Sequence, residues 1–154
     1  MKGYLVDANH VQAHFERVAS FMSKVRSVPV SDLLWLCATT LGEIQAGHEM
    51  STTTNEQRRR EFDKFLIDQY QHVVLEVGSS TPMYYAWIMG RVWNKHRPAN
   101  HRIGTDTHLV SLGVDVNDVW LVATAWEHGL IVLTHDKMPC IREAAPEVRF
   151  DCWI

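Results

Sequence analysis

Asn117-Asp118-Val119-Trp120-Leu121-Val122-Ala123-Thr124-Ala125-Trp126-Glu127-His128-Gly129-Leu130-Ile131-Val132-Leu133-Thr134-His135-Asp136 reads as a helix, a stop and a strand in one run. Asp118 opens an apolar helical stretch, Val119–His128. Gly129 closes it, because glycine takes the left-handed conformation that ends a helix at little cost. Leu130–Thr134 is then a strand, and it delivers Asp136 just past its end.

The same setting recurs upstream. Tyr4-Leu5-Val6 runs into Asp7, and Leu33-Leu34-Trp35-Leu36-Cys37 gives way to a helix start carrying Glu43. In an open α/β sheet the carboxyl ends of the strands share one edge, where ligands bind. Asp7, Glu43, Asp118 and Asp136 converging there make a hard, oxygen-only pocket suited to Mg²⁺ or Mn²⁺. That is the chemistry of a metal-dependent phosphodiesterase.

The rest of the chain alternates strands and helices. A strand at Gly3–Val6 precedes one helical stretch with Val11, Phe15, Val18, Phe21/Met22 and Val25 at three- and four-residue spacing, which Pro29 breaks. A second strand covers Leu33–Ala38, and Thr40 starts a helix running to about Glu49. Ser51–Asn55 is a loop. Glu56–Tyr70 is a charged amphipathic helix with Phe62, Phe65, Leu66 and Tyr70 on one side. His72–Val77 is a third strand, Thr81-Pro82 a helix entry, and Met83–Asn94 an aromatic-rich helix. Residues 97–113 read as polar loop with one turn of helix at Thr107–Leu112, and Val148–Cys152 as a last short strand. The order predicts α/β architecture: one domain over 1–154, with a central, mainly parallel sheet of four to five strands between helices.

Composition is compatible with this. The 154 residues are 46% hydrophobic and 21% charged, enough for a sizeable core and unlike a disordered chain. The net charge of −3 predicts no strongly basic surface overall, though local basic patches matter more than the sum. Cys37, Cys140 and Cys152 form no C-x-x-C pair and read as reduced thiols, Cys37 buried and inert in its strand. No apolar run approaches the length of a membrane span and no signal peptide opens the chain, so the expectation is a cytoplasmic protein without membrane contact.

Each acid also has a purely structural role open to it. Asp7 can cap the following helix, and Thr40-Leu41-Gly42-Glu43 fits a capping box. Asp118 beside Asn117 is a natural N-cap, and Asp136 can be a turn residue. Together, though, they crowd one sheet edge with negative charge, and neighbouring carboxylates raise one another's pKa unless a cation sits among them.

Tyr4-Leu5-Val6-Asp7-Ala8-Asn9 resembles the opening strand and D-x-N motif of PIN domains. Thr40-Leu41-Gly42-Glu43-Ile44-Gln45-Ala46-Gly47 is similar to their central helix. Asn117–Ala125 with His128-Gly129-Leu130 and Leu133–Asp136 resembles the D-x-x-I-A-A-x-A…G-L…T-x-D block of the VapC-type toxins in that superfamily. The resemblance spans residues 3 to about 150. It implies an RNase-H-like α/β/α sandwich and Mg²⁺- or Mn²⁺-dependent RNA cleavage, with tRNA, rRNA or mRNA as substrate. It also implies homodimerisation and inhibition by a cognate antitoxin. By position, Asp7, Glu43, Asp118 and Asp136 match the metal-binding acids, Asn9 the polar position beside the first, and Thr134 the hydroxyl near the last. Two departures stand out: the long polar insert Arg97–Val116, and Leu121-Val122-Ala123 in place of I-A-A. The insert brings Asp106 and Asp115, and Asp115 lies one helical turn before Asp118, where it could join the site as a fifth acid, although a solvated loop residue is the favoured reading.

RNA must also be held. From Val77 to Thr105 there is no Asp or Glu, while Arg91, Lys95, Arg97 and Arg102 occur with His96 and His101, a candidate phosphate track or an ordinary helix end. Arg58-Arg59-Arg60 shares its helix with Glu56, Glu61 and Asp63, so i,i+4 pairing accounts for it. Tyr84, Tyr85, Trp87 and Trp93 can stack on bases but at helical spacing suit a core or a dimer contact. His10 and His14 lack the glutamate of a zinc helix and read as surface residues. No phosphate-binding glycine loop or G-x-S-x-G elbow is present. The leading reading is a toxin endoribonuclease. Its rivals are a housekeeping PIN nuclease without antitoxin, and a catalytically weak module that binds RNA or protein.

Overall fold

The computed structural model describes residues 3–29, 31–51, 55–100 and 102–154. Part of the expected Ser51–Asn55 loop, residues 52–54, and His101 of the positive stretch lie outside them. The element order is β1 (Gly3–Val6), α1 (Ala8–Phe15), α2 (Ala19–Ser27), β2 (Leu33–Cys37), α3 (Ala38–Met50), α4 (Glu56–Tyr70) and β3 (Val74–Leu75), then α5 (Thr81–His96), α6 (Thr105–Ser111), α7 (Val116–His128), β4 (Ile131–Leu133), α8 (Pro139–Ala144) and β5 (Arg149–Asp151). The five strands form one sheet in the order β3-β2-β1-β4-β5, and every neighbouring pair is parallel. The acids just past β1 and β4 therefore leave the sheet at the same edge, from adjacent central strands.

Alternate residues of each strand feed opposite faces. Leu5, Cys37 and Val132 join a cluster with Ile88, Val92, Val119 and Val122 from α5 and α7. Val6, Leu36 and Leu133 join another with Val11, Phe21, Phe62, Leu66 and Tyr70 from α1, α2 and α4. The result is the three-layer α/β/α arrangement the alternation predicts, with a sheet parallel throughout.

One glycine sets the register of the centre. Gly3 has φ of 132°, and a Cβ there would lie 2.0 Å from the Leu33 carbonyl oxygen, its β2 partner. No other residue permits that approach. Gly129 behaves as its position predicts: at φ 65° and ψ 33° it ends α7, and Leu130 N–H closes on the Ala125 carbonyl at 2.9 Å.

Several boundaries differ from expectation. The predicted single helix over Val11–Val25 is two, because Arg17 adopts a left-handed φ of 54° and Val18 N–H returns to the Ala13 carbonyl at 2.9 Å. Helix α3 starts at Ala38 rather than Thr40; the Cys37 thiol accepts from Thr40 N–H at 3.5 Å, so the expected capping box is not the cap. Within residues 97–113 the expected single turn is the helix α6, and α8 was not foreseen. Strand β3 is shorter than His72–Val77. Among the described residues no single helix is long and apolar enough to cross a membrane; α6 and α7 reach that length together only across an 82° bend.

Candidate active site

Four segments bring their acids to one cavity of about 200 Å³, lined by Asp7, Asn9, Glu43, Asn117, Asp118 and Asp136 with Ala8 and Leu121. Asp7 is held most tightly. Its N–H donates to the Leu133 carbonyl at 3.1 Å, tying the end of β1 to β4. Its Oδ1 accepts from His10 N–H at 2.8 Å, so it does cap α1, as its position allowed. Its Oδ2 is buried and has no hydrogen-bond partner. A buried carboxylate oxygen left bare costs stability unless something polar meets it.

Two of the other three structural roles open to the acids are taken by different residues. Asp115, not Asp118, caps α7, accepting from Asn117 N–H at 2.7 Å. Cys37 caps α3, so Glu43 stands free in the helix and accepts from Asn117 Nδ2 at 2.9 Å. Asp136 is fixed through its backbone: its N–H donates to Thr134 Oγ1 at 3.0 Å, and Arg142 Nη2 donates to its carbonyl at 3.0 Å. Asn9 Nδ2 donates to Asp136 Oδ2 at 3.5 Å, a long contact. Thr134 and Asn9 thus orient the last acid, and Asp115 orients the first turn of α7.

Electrostatics link these acids into one group. Asp118 is pushed up to about 7, first by burial and then by the charges of Asp115, Asp136, Glu43 and Asp7. Glu43 is also raised, chiefly by partial burial; the Asn117 hydrogen bond opposes this, while Asp115, Asp7 and Asp136 add to it. Asp115 is exposed and outside the cavity lining, as a solvated residue would be, but its charge is felt at both.

The acids line the cavity without closing on a point. Among the described residues, no three histidine, cysteine or carboxylate side chains converge tightly enough to hold an ion as they stand. Still, the donor set fits a hard divalent cation, being all oxygen, mutually repelling and including the orphaned Asp7 Oδ2.

The positive stretch is largely engaged elsewhere. Arg91 makes a bidentate pair with Glu147 at 2.9 Å for each bond, donates to the Ala144 carbonyl at 2.8 Å and lies over Trp126 at 5.0 Å. Lys95 and His96 both meet Glu143. These contacts fasten α5 to α8 and the turn after it. Arg97 and Arg102 are exposed, with no ion pair among the described residues. Among the described residues of the expected track, these two are left to meet a phosphate. Of the triple arginine, Arg60 pairs with Glu56 at i,i+4, whereas Arg58 reaches Glu16 at the end of α1 and Arg59 reaches Glu49 on α3.

The aromatic residues pack mainly among themselves. Tyr85 stacks on Trp120 at 4.2 Å, Tyr84 meets Trp87 and Trp126, and Trp93 meets His108 edge-on. Trp87 remains 45% exposed. A larger groove of about 490 Å³ runs between α3 and α4, lined by Leu41, Leu66, Ile67 and Tyr70 among others and by none of the four acids.

His10 and His14 are not surface residues. His10 is fully buried, with Nδ1 2.8 Å from Asp7 Oδ1 and Nε2 accepting from Trp153 N–H at 3.1 Å. His14 is half-buried against Tyr70, its Nδ1 2.9 Å from the hydroxyl. Sequence reasoning also missed Asn117 and Arg142. Asn117 gave a signal in standing next to an acid; Arg142 gave none, since its helix was not foreseen.

Solved structures share this architecture. A chain of VapBC2 from Rickettsia felis, bound to a DNA fragment from their promoter, matches with TM-score 0.71 at 16% identity over 98% of both chains. A chain of DNA-bound VapBC from Salmonella typhimurium matches with TM-score 0.71 at 18% identity over 100% of both. One from VapBC-5 of Mycobacterium tuberculosis, a member of the VapBC family of toxin-antitoxin systems, matches with TM-score 0.59 at 18% identity over 97% of this chain and 98% of that one. No protein-family model and no curated protein sequence matches the chain. The chain thus shares the fold of these VapBC chains, and it is the α/β/α sandwich anticipated from the sequence.

Proposed function

We propose that the chain is a Mg²⁺- or Mn²⁺-dependent endoribonuclease and the toxin of a toxin–antitoxin pair. The observation that carries this reading is the convergence of Asp7, Glu43, Asp118 and Asp136, from four separate segments, on one cavity at the carboxyl edge of a parallel sheet. Asp118, held near 7 by burial and neighbouring charge, supports it, because that strain is relieved when a cation enters. The fold shared with VapBC chains supports the toxin role and a cognate antitoxin as partner. Assembly as a homodimer is part of the same reading.

In this reading Asp7 Oδ2 and the Asp118 carboxylate hold the cation, and Glu43 and Asp136 complete the site or orient water. When bound, the cation supplies Lewis-acid activation of water and neutralises charge developing on the phosphoryl oxygens. Asn117 keeps Glu43 turned toward the cavity, and the Thr134 hydroxyl keeps Asp136 at its mouth. No side-chain nucleophile is required. Arg97 and Arg102 contribute to holding the RNA backbone.

A second reading, a PIN-like module that binds RNA or protein without turnover, is favoured by the acids lining the cavity rather than closing on a point. Purified protein incubated with total RNA in Mg²⁺ or Mn²⁺ separates the two. Discrete products that vanish with EDTA and with Asp118→Asn establish the nuclease. Intact RNA under every condition establishes the module.

A further inference from the structure

We infer that His10 is a positioning residue for the cation site: its imidazole pins Asp7 Oδ1 so that Oδ2 alone faces the cation. This rests on the nuclease reading above and adds a residue outside the cavity lining. The geometry fixes the state of the ring. A backbone N–H can only donate, so the bond from Trp153 N–H at 3.1 Å requires a lone pair on His10 Nε2. The imidazole is then neutral with its one proton on Nδ1, which donates to Asp7 Oδ1 at 2.8 Å.

Asp7 Oδ1 therefore receives two donors from one residue, the His10 N–H and the ring, while Oδ2 receives none. Both groups are buried, so the carboxylate has little freedom to rotate. Trp153 is itself locked: it meets Tyr4 and Phe21 at 4.7 and 5.5 Å, and its Nε1 donates to Asp151 Oδ2 at 2.9 Å. The aim of the first acid is thus set by a relay running from Trp153, just past β5, through His10. Hydrogen-bonded partners of metal-ligating groups act in this way, and losing one typically costs 10–100-fold in metal affinity.

The test is Mn²⁺ affinity by calorimetry on the full chain, for the wild type, His10→Leu and His10→Asn. Asparagine sets an amide nitrogen near the Nδ1 position, so it should keep affinity within about threefold, whereas leucine should lose about tenfold or more. A His10→Leu chain that folds, by near-ultraviolet circular dichroism, and binds Mn²⁺ like the wild type overturns the proposal and leaves the nuclease reading intact. A wild type that binds no Mn²⁺ removes the cation reading and this inference with it.

The histidine ring ¹⁵N spectrum of the wild type decides the matter without any variant. A histidine bearing its proton on Nδ1, whose signal moves in step with Mg²⁺ loading, is expected. A proton on Nε2, or a signal unmoved at Mg²⁺ saturation, contradicts it.

Discussion

Asn117 Nδ2 sits 2.9 Å from Glu43 Oε1, so the first turn of α7 holds the acid carried by α3. That bond favours the ionised Glu43 carboxylate, opposing burial and three neighbouring acids, which together still raise its pKa. Asn117→Ala should lower RNA cleavage about tenfold by freeing Glu43, while costing no more than about 0.5 kcal/mol, as befits an exposed side chain. Single-turnover rates beside urea unfolding check this.

Asp118 makes the metal-free protein pH-sensitive. Its carboxyl titrates near 7 in the fold against an ordinary value of 3.8, so the folded chain holds more protons than the unfolded one between those values. Stability is thus lost as pH rises from about 4 to 7. Asp118→Asn removes that loss: in EDTA it should exceed the wild type by about 1–2 kcal/mol at pH 8, discounted for partial exposure, with no difference near pH 4. Urea unfolding at the two pH values measures it.

The positive stretch divides by engagement. Arg97→Ala and Arg102→Ala should raise KM for RNA several-fold with kcat little changed. Arg91→Ala, whose guanidinium is spent on Glu147 and Ala144, should leave KM as it was. Equal effects from all three would return Arg91 to the phosphate track.

Leu133 is fully buried beneath the edge that carries Asp136. Leu133→Ala should cost about 2–5 kcal/mol in urea unfolding, the range for a core leucine.

The strand ends and their acids were legible because an apolar run followed by a carboxylate is a local pattern. Gly129 was legible because a left-handed stop favours glycine. The break between α1 and α2 was not, since Arg17 takes φ of 54° without a glycine or asparagine and the apolar spacing runs straight through it. Cys37 as the α3 cap was hidden because thiols rarely cap, and Thr40 offered the more familiar reading. Helix α8 spans only Pro139–Ala144, too short for periodicity. The convergence of the acids was legible from topology alone. What orients them was not, because Asn117 and His10 each depend on a partner far away in sequence: Asn117 on Glu43, and His10 on Trp153.

The melting temperature with and without Mg²⁺ at pH 8, for the wild type beside Asp118→Asn, tests most directly that the four acids form one cation site. The account predicts that Mg²⁺ raises the wild type by several degrees, whereas the variant starts higher and no longer responds. An equal Mg²⁺ response in both, or none in the wild type, would contradict it.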